Sequence, residues 1–249
     1  MSDDRPSLRP RTPWGPVVLG RLSIAALVGV VVLLGLVRAG AIVIPARLDP
    51  FAPLQVSDSP NWLTRMKLAR LQDDAPLCRA VLATSSVTFR TVPDRERDDG
   101  CGVTDAVEVT RSSVAFSGSF TATCPLAVAW ALLETHVLQP AARRHLGQEV
   151  SRVLHLGTYA CRNIDHRAGG RRSEHASANA IDISGFVLAD GQRVTLVDAW
   201  DGPDARRAAF LRAVRDGACR FFDVVLGPDY NDAHRDHFHL DMGAYRACR

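Results

Sequence analysis

The sequence predicts an α+β fold, an antiparallel sheet with helices packed on one side, preceded by a single N-terminal membrane helix. Three observations predict it. An uncharged apolar run, Leu22 to Val37, stands near the start of the chain. Short β-branched and apolar runs, among them VLATSSVTF, AVEVT and AIDISGFVL, are interspersed with helical patterns in the remainder. A chain of 249 residues with 47% hydrophobic content is long and apolar enough for one globular domain plus a tail.

Residues 1–20 are rich in Pro and Arg with little to bury, and read as a disordered cytosolic tail. Residues 21–44 read as the membrane anchor, because the apolar stretch continues past Arg38 to Ile44 and is long enough to span a bilayer. Arg5, Arg9, Arg11 and Arg21 precede it, so the N-terminus belongs in the cytoplasm and the rest outside, as a single-pass inner-membrane protein with a periplasmic domain. The alternative is a signal peptide cleaved at Ala39-Gly40-Ala41, which gives a secreted domain. Residues 45–61 contain four prolines and read as an extended linker.

Residues 62–249 form the domain. Trp62, Leu63, Met66, Leu68 and Leu71 suit a broad apolar helix face. Cys78 to Val109 carries strand-like pieces around the charged turn DRERDDG. A helix is expected from Pro125 to His136, capped near Thr123, with Pro140 kinking it or starting a second one through Leu146. Val150–Leu156 and Ala180–Leu188 read as strands. Phe210, Leu211 and Val214 mark a core-facing helix between Pro203 and Cys219. Asp223–Leu226 reads as a short buried strand, and Gly227-Pro228-Asp229 turns into the last strand, His237–Met242.

Six cysteines, an even number with no Cys-x-x-Cys pair, point to three disulfides in an oxidising compartment rather than a cysteine metal site. Fifteen pairings are possible, and Cys219 with Cys248 is the one expected to tie the C-terminus down. The net charge of +3 and the lack of a basic-aromatic motif or Gly-rich phosphate loop argue against a nucleic-acid partner, and suit an anionic polymer such as cell wall.

The chemistry concentrates in two segments, SEHASANAID and RDHFHLD. His175, Asp182 and His239 supply the imidazole and carboxylate donors of a catalytic zinc site, which takes three protein ligands and keeps one position open. Asp182 falls on a strand and His175 in the turn leading into it. Alternation places His237 and His239 on one strand face, with Phe238 and Leu240 on the other. Asp236 is placed to act as general base if the strand start bends. The antiparallel sheet thus bears a zinc cleft. His136, His145, His155 and His166 read as surface or loop histidines, as does His234 except that it lies near the site.

Ser-x-His, Ala-x-Asp and a later acid-x-x-His resemble the D-alanyl-D-alanine carboxypeptidase and endopeptidase group of zinc peptidases, which shares its fold with the hedgehog signalling domain. The chain from Asn61 to Arg249 is more similar still to the bacterial extensin-like C-terminal domain family, through NWLTRMKLARL, CGV, QPAARRH, YACRN, GRRSEHASANAIDI, DGACRFF, VLGPDYN and HRDHFHLDM. The resemblance implies His175, Asp182 and His239 as zinc ligands, Asp236 as base and His237 as an auxiliary imidazole. It implies Arg162 as a catalytic or carboxylate-holding cation and Ser173 as a substrate contact. Departures are Ala178 where the peptidases usually have Gly, and Asp236 and Phe238 where they often have Glu and Trp. The implied function is cleavage of D-Ala-containing stems or cross-links of peptidoglycan, with endopeptidase action favoured over carboxypeptidase. The rival is a non-catalytic, zinc-stabilised wall-binding module.

Overall fold

The computed structural model describes residues 16–97 and 99–249. The tail expected at 1–20 lies outside the described residues except for 16–20, which are helical. The first helix, α1, runs Pro16–Arg38, and its stretch Gly20–Arg38 is long and apolar enough to cross a membrane or serve as a signal sequence. It ends six residues before the expected Ile44. Gly40 at φ 71° accounts for the stop: Ala41 N–H donates to Leu36 O (2.9 Å) and Gly40 N–H to Val37 O (3.1 Å), a helix-ending pair of bonds that needs a left-handed residue.

Pro45 and Ala46 divide two compact units, the second running Ala46–Arg249. The stretch read as a linker is therefore mostly domain. Leu54 and Val56 are buried in its core, His136 Nε2 lies 2.7 Å from Val56 O, and buried Lys67 donates through Nζ to Ala46 O (2.7 Å). Prolines without helical or strand periodicity gave no sign of this, because the packing is by two isolated apolar side chains.

α2 (Thr64–Arg70) starts where Asn61 Oδ1 accepts from Leu63 N–H and Thr64 Oγ1 accepts from Asn61 N–H. Its buried face holds Leu63, Leu68 and Leu71, whereas Trp62 is 80% exposed and Met66 is also exposed, so the broad face expected there is narrower. α3 (Ala75–Leu82) follows, its N-cap Asp74 accepting from Leu77 N–H. Then come β1 (Thr88–Thr91), β2 (Ala106–Arg111) and β3 (Ala115–Thr123). α4 (Cys124–Leu133) is apolar all round and buried all round, as such a helix must be. A π-turn, Glu134–Leu138, joins it to α5 (Gln139–Leu146), so Pro140 sits in the first turn of α5. Proline lacks an N–H, and the wider π-turn is one way a helix accommodates the missing bond.

β4 (Val150–Gly157), β5 (Ala180–Leu188), β6 (Arg193–Thr195), α6 (Leu196–Ala199), α7 (Ala205–Ala218), β7 (Val224–Leu226), β8 (Phe238–Asp241) and β9 (Ala247–Cys248) complete the order. The sheet reads β1-β2-β3-β4-β5-β8-β7-β9, with β6 also on β5. It is antiparallel except at β3–β4 and β7–β9. The parallel β3–β4 pair is the consequence of the α4–α5 crossover, since parallel neighbours cannot be joined by a tight turn.

Three disulfides join Cys78 to Cys124, Cys101 to Cys161 and Cys219 to Cys248, the last as the sequence suggested. Cys219–Cys248 pins β9 to the end of α7 and closes a loop with a sequence separation of 29. Replacing both cysteines with serine is expected to cost about 3–4 kcal/mol by loop-closure entropy, seen as a lower urea midpoint in equilibrium unfolding.

Candidate metal centre

β5 and β8 build the site by register. Asp182 and His239 are directly opposed partners across this antiparallel pair, so their side chains leave the sheet on the same face. Ile181, Ile183, Phe238 and Leu240 go to the other face and are buried in the core. Hydrophobic patterning thus fixes the register, and the register fixes the pair; a one-residue slip would send one of the two into the core.

His175 arrives from the turn before β5. The 3-10 turn Glu174–Ser177 is capped by Ser173, whose Oγ accepts from His175 N–H (3.4 Å), and ends at Ala178, φ 56° and ψ 29°. A left-handed alanine costs about 1–2 kcal/mol. The turn keeps this conformation because Ala178 is fully buried against Val103 and Ala106, and because its O accepts from Thr123 N–H (3.0 Å). The methyl group of Ala178, a departure from the peptidase pattern, is therefore accommodated without loss of a glycine-like turn. The neighbouring Glu174 carboxylate accepts from Asn179 Nδ2 (2.9 Å) and packs against Gly243, where an added Cβ would lie 2.6 Å from it.

Three side chains converge, His175 and His239 each through one nitrogen and Asp182 through both carboxylate oxygens. His175 Nε2 is 3.1 Å from His239 Nδ1, His239 Nδ1 is 3.0 Å from Asp182 Oδ1, and His175 Nε2 is 3.2 Å from Asp182 Oδ2. Ligands about 2.0–2.1 Å from a tetrahedral ion stand about 3.3 Å from one another, so the triangle has the size such an ion requires. The atoms behind the triangle fit as well. His175 Nδ1 donates to Thr158 O (3.1 Å) and His239 Nε2 to Asp241 Oδ2 (3.0 Å). Ligating histidines commonly use their second nitrogen in this way. His175 is 3% exposed and the His239 side chain 11%, so both rings are shielded from bulk water.

Asp241 was not singled out by sequence reasoning. It is buried, and a carboxylate two residues beyond His239 on the same strand was the available signal, read only as the end of a strand.

The electrostatics favour a cation. Burial pushes the Asp182 carboxyl up, but hydrogen bonds and charge from His175 and His239 outweigh it and hold Asp182 well below the usual carboxylate range. Burial pushes His239 down, but its bonds to Asp182 and Asp241 prevail and raise it to about 9. Between two carboxylates the imidazole holds a proton where a metal would place its charge. A metal bound here would have to displace that proton, so any zinc affinity is expected to rise about tenfold per pH unit and to level off above about 9, as read by chelator competition across that range.

His237 also faces Asp182, with Nε2 3.7 Å from Oδ1, while its Nδ1 is 2.8 Å from Asp236 Oδ1. The Asp236 side chain is 47% exposed. Its carboxyl is lowered, first by the hydrogen bond from His237. The bend that was to aim Asp236 at the open position instead aims it at His237, and His237 stands between Asp236 and the ligand triangle.

His234, the one further histidine expected near the site, is there. Its ring centroid lies 5.3 Å from that of His237 and 5.8 Å from that of His239. Burial first, then the charges of His239 and His237, lower it to about 4, with Arg162 adding to the effect. Ser173, expected to touch substrate, is buried and serves as the turn's cap. His136 and His155 are half-buried, bonding Val56 O and Gly118 O, and not surface residues; His145 and His166 take no part in the centre.

A second cluster, Asp99 with Cys101 and Cys161, has both sulfurs committed to a disulfide. A cavity of about 240 Å³ lined in part by Leu71, Thr123, Ser177, Asn179 and Met242 includes none of the three converging side chains.

The extensin-like protein C-terminus family matches residues 76–249, a span that contains every residue of the centre. The chain belongs to this family. The match starts after α2, so NWLTRMKLARL lies outside it. No curated protein and no solved structure gives a match.

Proposed function

We propose that this extensin-like domain is a zinc peptidase acting on D-Ala-containing peptide stems or cross-links of peptidoglycan, with cross-link cleavage favoured, and that it works outside the cytoplasmic membrane, tethered by α1. The observation that carries this reading is the His175–Asp182–His239 triangle with the Asp236–His237 pair beside it. His175, Asp182 and His239 would hold the ion, which supplies Lewis acidity to polarise a carbonyl and acidify a water.

The chain's own residues supply the proton path. His237 Nε2 faces the triangle and takes a proton from the attacking water, while Asp236, anionic and bonded to Nδ1, orients the ring and stabilises its charged form. This is the logic of a carboxylate behind a histidine base. As the water oxygen bonds to the amide carbon, the C–N bond breaks, and the proton held by His237 passes to the leaving amine. Arg162, whose backbone O accepts from Ser173 N–H (3.1 Å), would serve the substrate's carboxylate or carbonyl. Six paired cysteines and the apolar α1 support an exported location.

The wall-binding alternative would keep His175, Asp182 and His239 but need no proton path through Asp236 and His237. Mass spectrometry of cross-linked muropeptides after incubation with zinc-loaded residues 46–249 separates the two. Product masses corresponding to hydrolysis at D-Ala support the peptidase and identify its bond. Intact muropeptides with folded, zinc-loaded domain leave the binding module as the reading.

A further inference from the structure

We propose that Asp241 is a positioning residue that selects the nitrogen through which His239 binds the metal, an inference that rests on the metal reading above. Asp241 is 5% exposed and follows His239 by two residues on β8, so both side chains rise from one face. Its two oxygens have separate tasks. Oδ1 accepts from Gly243 N–H (2.8 Å), and Oδ2 lies 3.0 Å from His239 Nε2. An ionised carboxylate can only accept, so the ring nitrogen facing it must carry hydrogen. In a neutral imidazole the lone pair is then on Nδ1, the atom 3.0 Å from Asp182 Oδ1 and 3.1 Å from His175 Nε2.

Gly243 makes this arrangement sensitive to a single atom. Its N–H is turned towards Asp241 Oδ1 (2.8 Å), and its Cα is packed so closely on Glu174 that a Cβ would meet the carboxyl carbon at 2.6 Å. In Asp241→Asn the lone remaining oxygen is claimed by that N–H, and the amide NH2 faces His239 Nε2. That nitrogen must now accept, so the ring proton moves to Nδ1, inside the ligand triangle. Zinc affinity falls although size, fold and first ligands are retained. A carboxylate that merely braced the Gly243 turn would be replaced by asparagine without effect on zinc, because the bracing bond survives.

The test compares full-length parent and Asp241→Asn in zinc titrations against a chromophoric chelator, with circular dichroism as a check on folding. A loss of about 10–100-fold is expected, the range for residues that hold a metal ligand in place. Affinity within about threefold of the parent, with the fold intact, overturns the proposal. If the variant does not fold, cadmium-substituted parent decides it: metal–proton couplings to the His239 ring must report coordination through Nδ1 with hydrogen on Nε2, and coordination through Nε2 overturns the proposal. A parent that binds no zinc or cadmium overturns the metal reading itself, and this inference with it.

Discussion

Replacing His237 with alanine is expected to lower the proposed muropeptide cleavage by roughly 10²–10⁴-fold, the range for loss of a general acid–base group, at unchanged zinc content. The zinc content is expected to hold because His237 is not one of the three converging residues; its Nε2 stands 3.7 Å from Asp182 Oδ1. Asp236→Ala is expected to lower kcat by less, since the imidazole remains and only its orientation and the partner of its charged form are lost. The comparison discriminates between two roles. If Asp236 were itself the base and His237 an auxiliary, the order of the two losses would reverse. Steady-state kinetics on a purified cross-linked muropeptide, with metal content measured on the same samples, reads the order directly. Equal activity of His237→Ala and parent would rule out a proton path through His237.

Replacing Asp182 with asparagine is expected to reduce zinc affinity at the proposed centre by more than about 100-fold, beyond the usual effect of residues behind the ligands. Asp182 is the one anionic member of the cluster, half-buried and held ionised by the two histidines it joins. Asparagine keeps the volume but supplies no charge to neutralise a divalent ion. Its amide also places a donor or a weaker acceptor opposite His239. The effect shows in thermal melts with and without chelator. The parent, if it holds zinc as proposed, is expected to lose the stabilisation that a ligand at 100 times its Kd confers, about 2.7 kcal/mol, and Asp182→Asn to melt alike in both conditions. A variant that still responds to chelator as strongly as the parent would remove Asp182 from the ligand set.

Parts of this architecture were legible because they rest on local pattern. The β-branched, apolar run AIDISGFVL and the alternation in HFHLD marked β5 and β8, and put Asp182 on one and His239 on the other. The apolar run of α1 needed only length and lack of charge. An even cysteine count pointed to three disulfides, though only the fold selected Cys78–Cys124 and Cys101–Cys161 from the possible pairings. The failures have local causes too. Residues 46–61 looked like a linker because the burial of Leu54 and Val56 depends on distant partners. Trp62 looked like a core residue because periodicity does not tell which side of a short helix has a neighbour.

The sequence by itself determined which residue types are present for metal chemistry, which strands carry two of them, and that an apolar helix precedes one domain. Only the tertiary structure decided that Asp182 and His239 are directly opposed, that Ser173 caps a turn, that Asp236 serves His237, and that Asp241 stands behind His239. Strand alternation is encoded every second residue along the chain. The cross-strand register and the direction of a hydrogen bond instead emerge from how the whole core packs, with Ile181, Ile183, Phe238 and Leu240 buried on the opposite face.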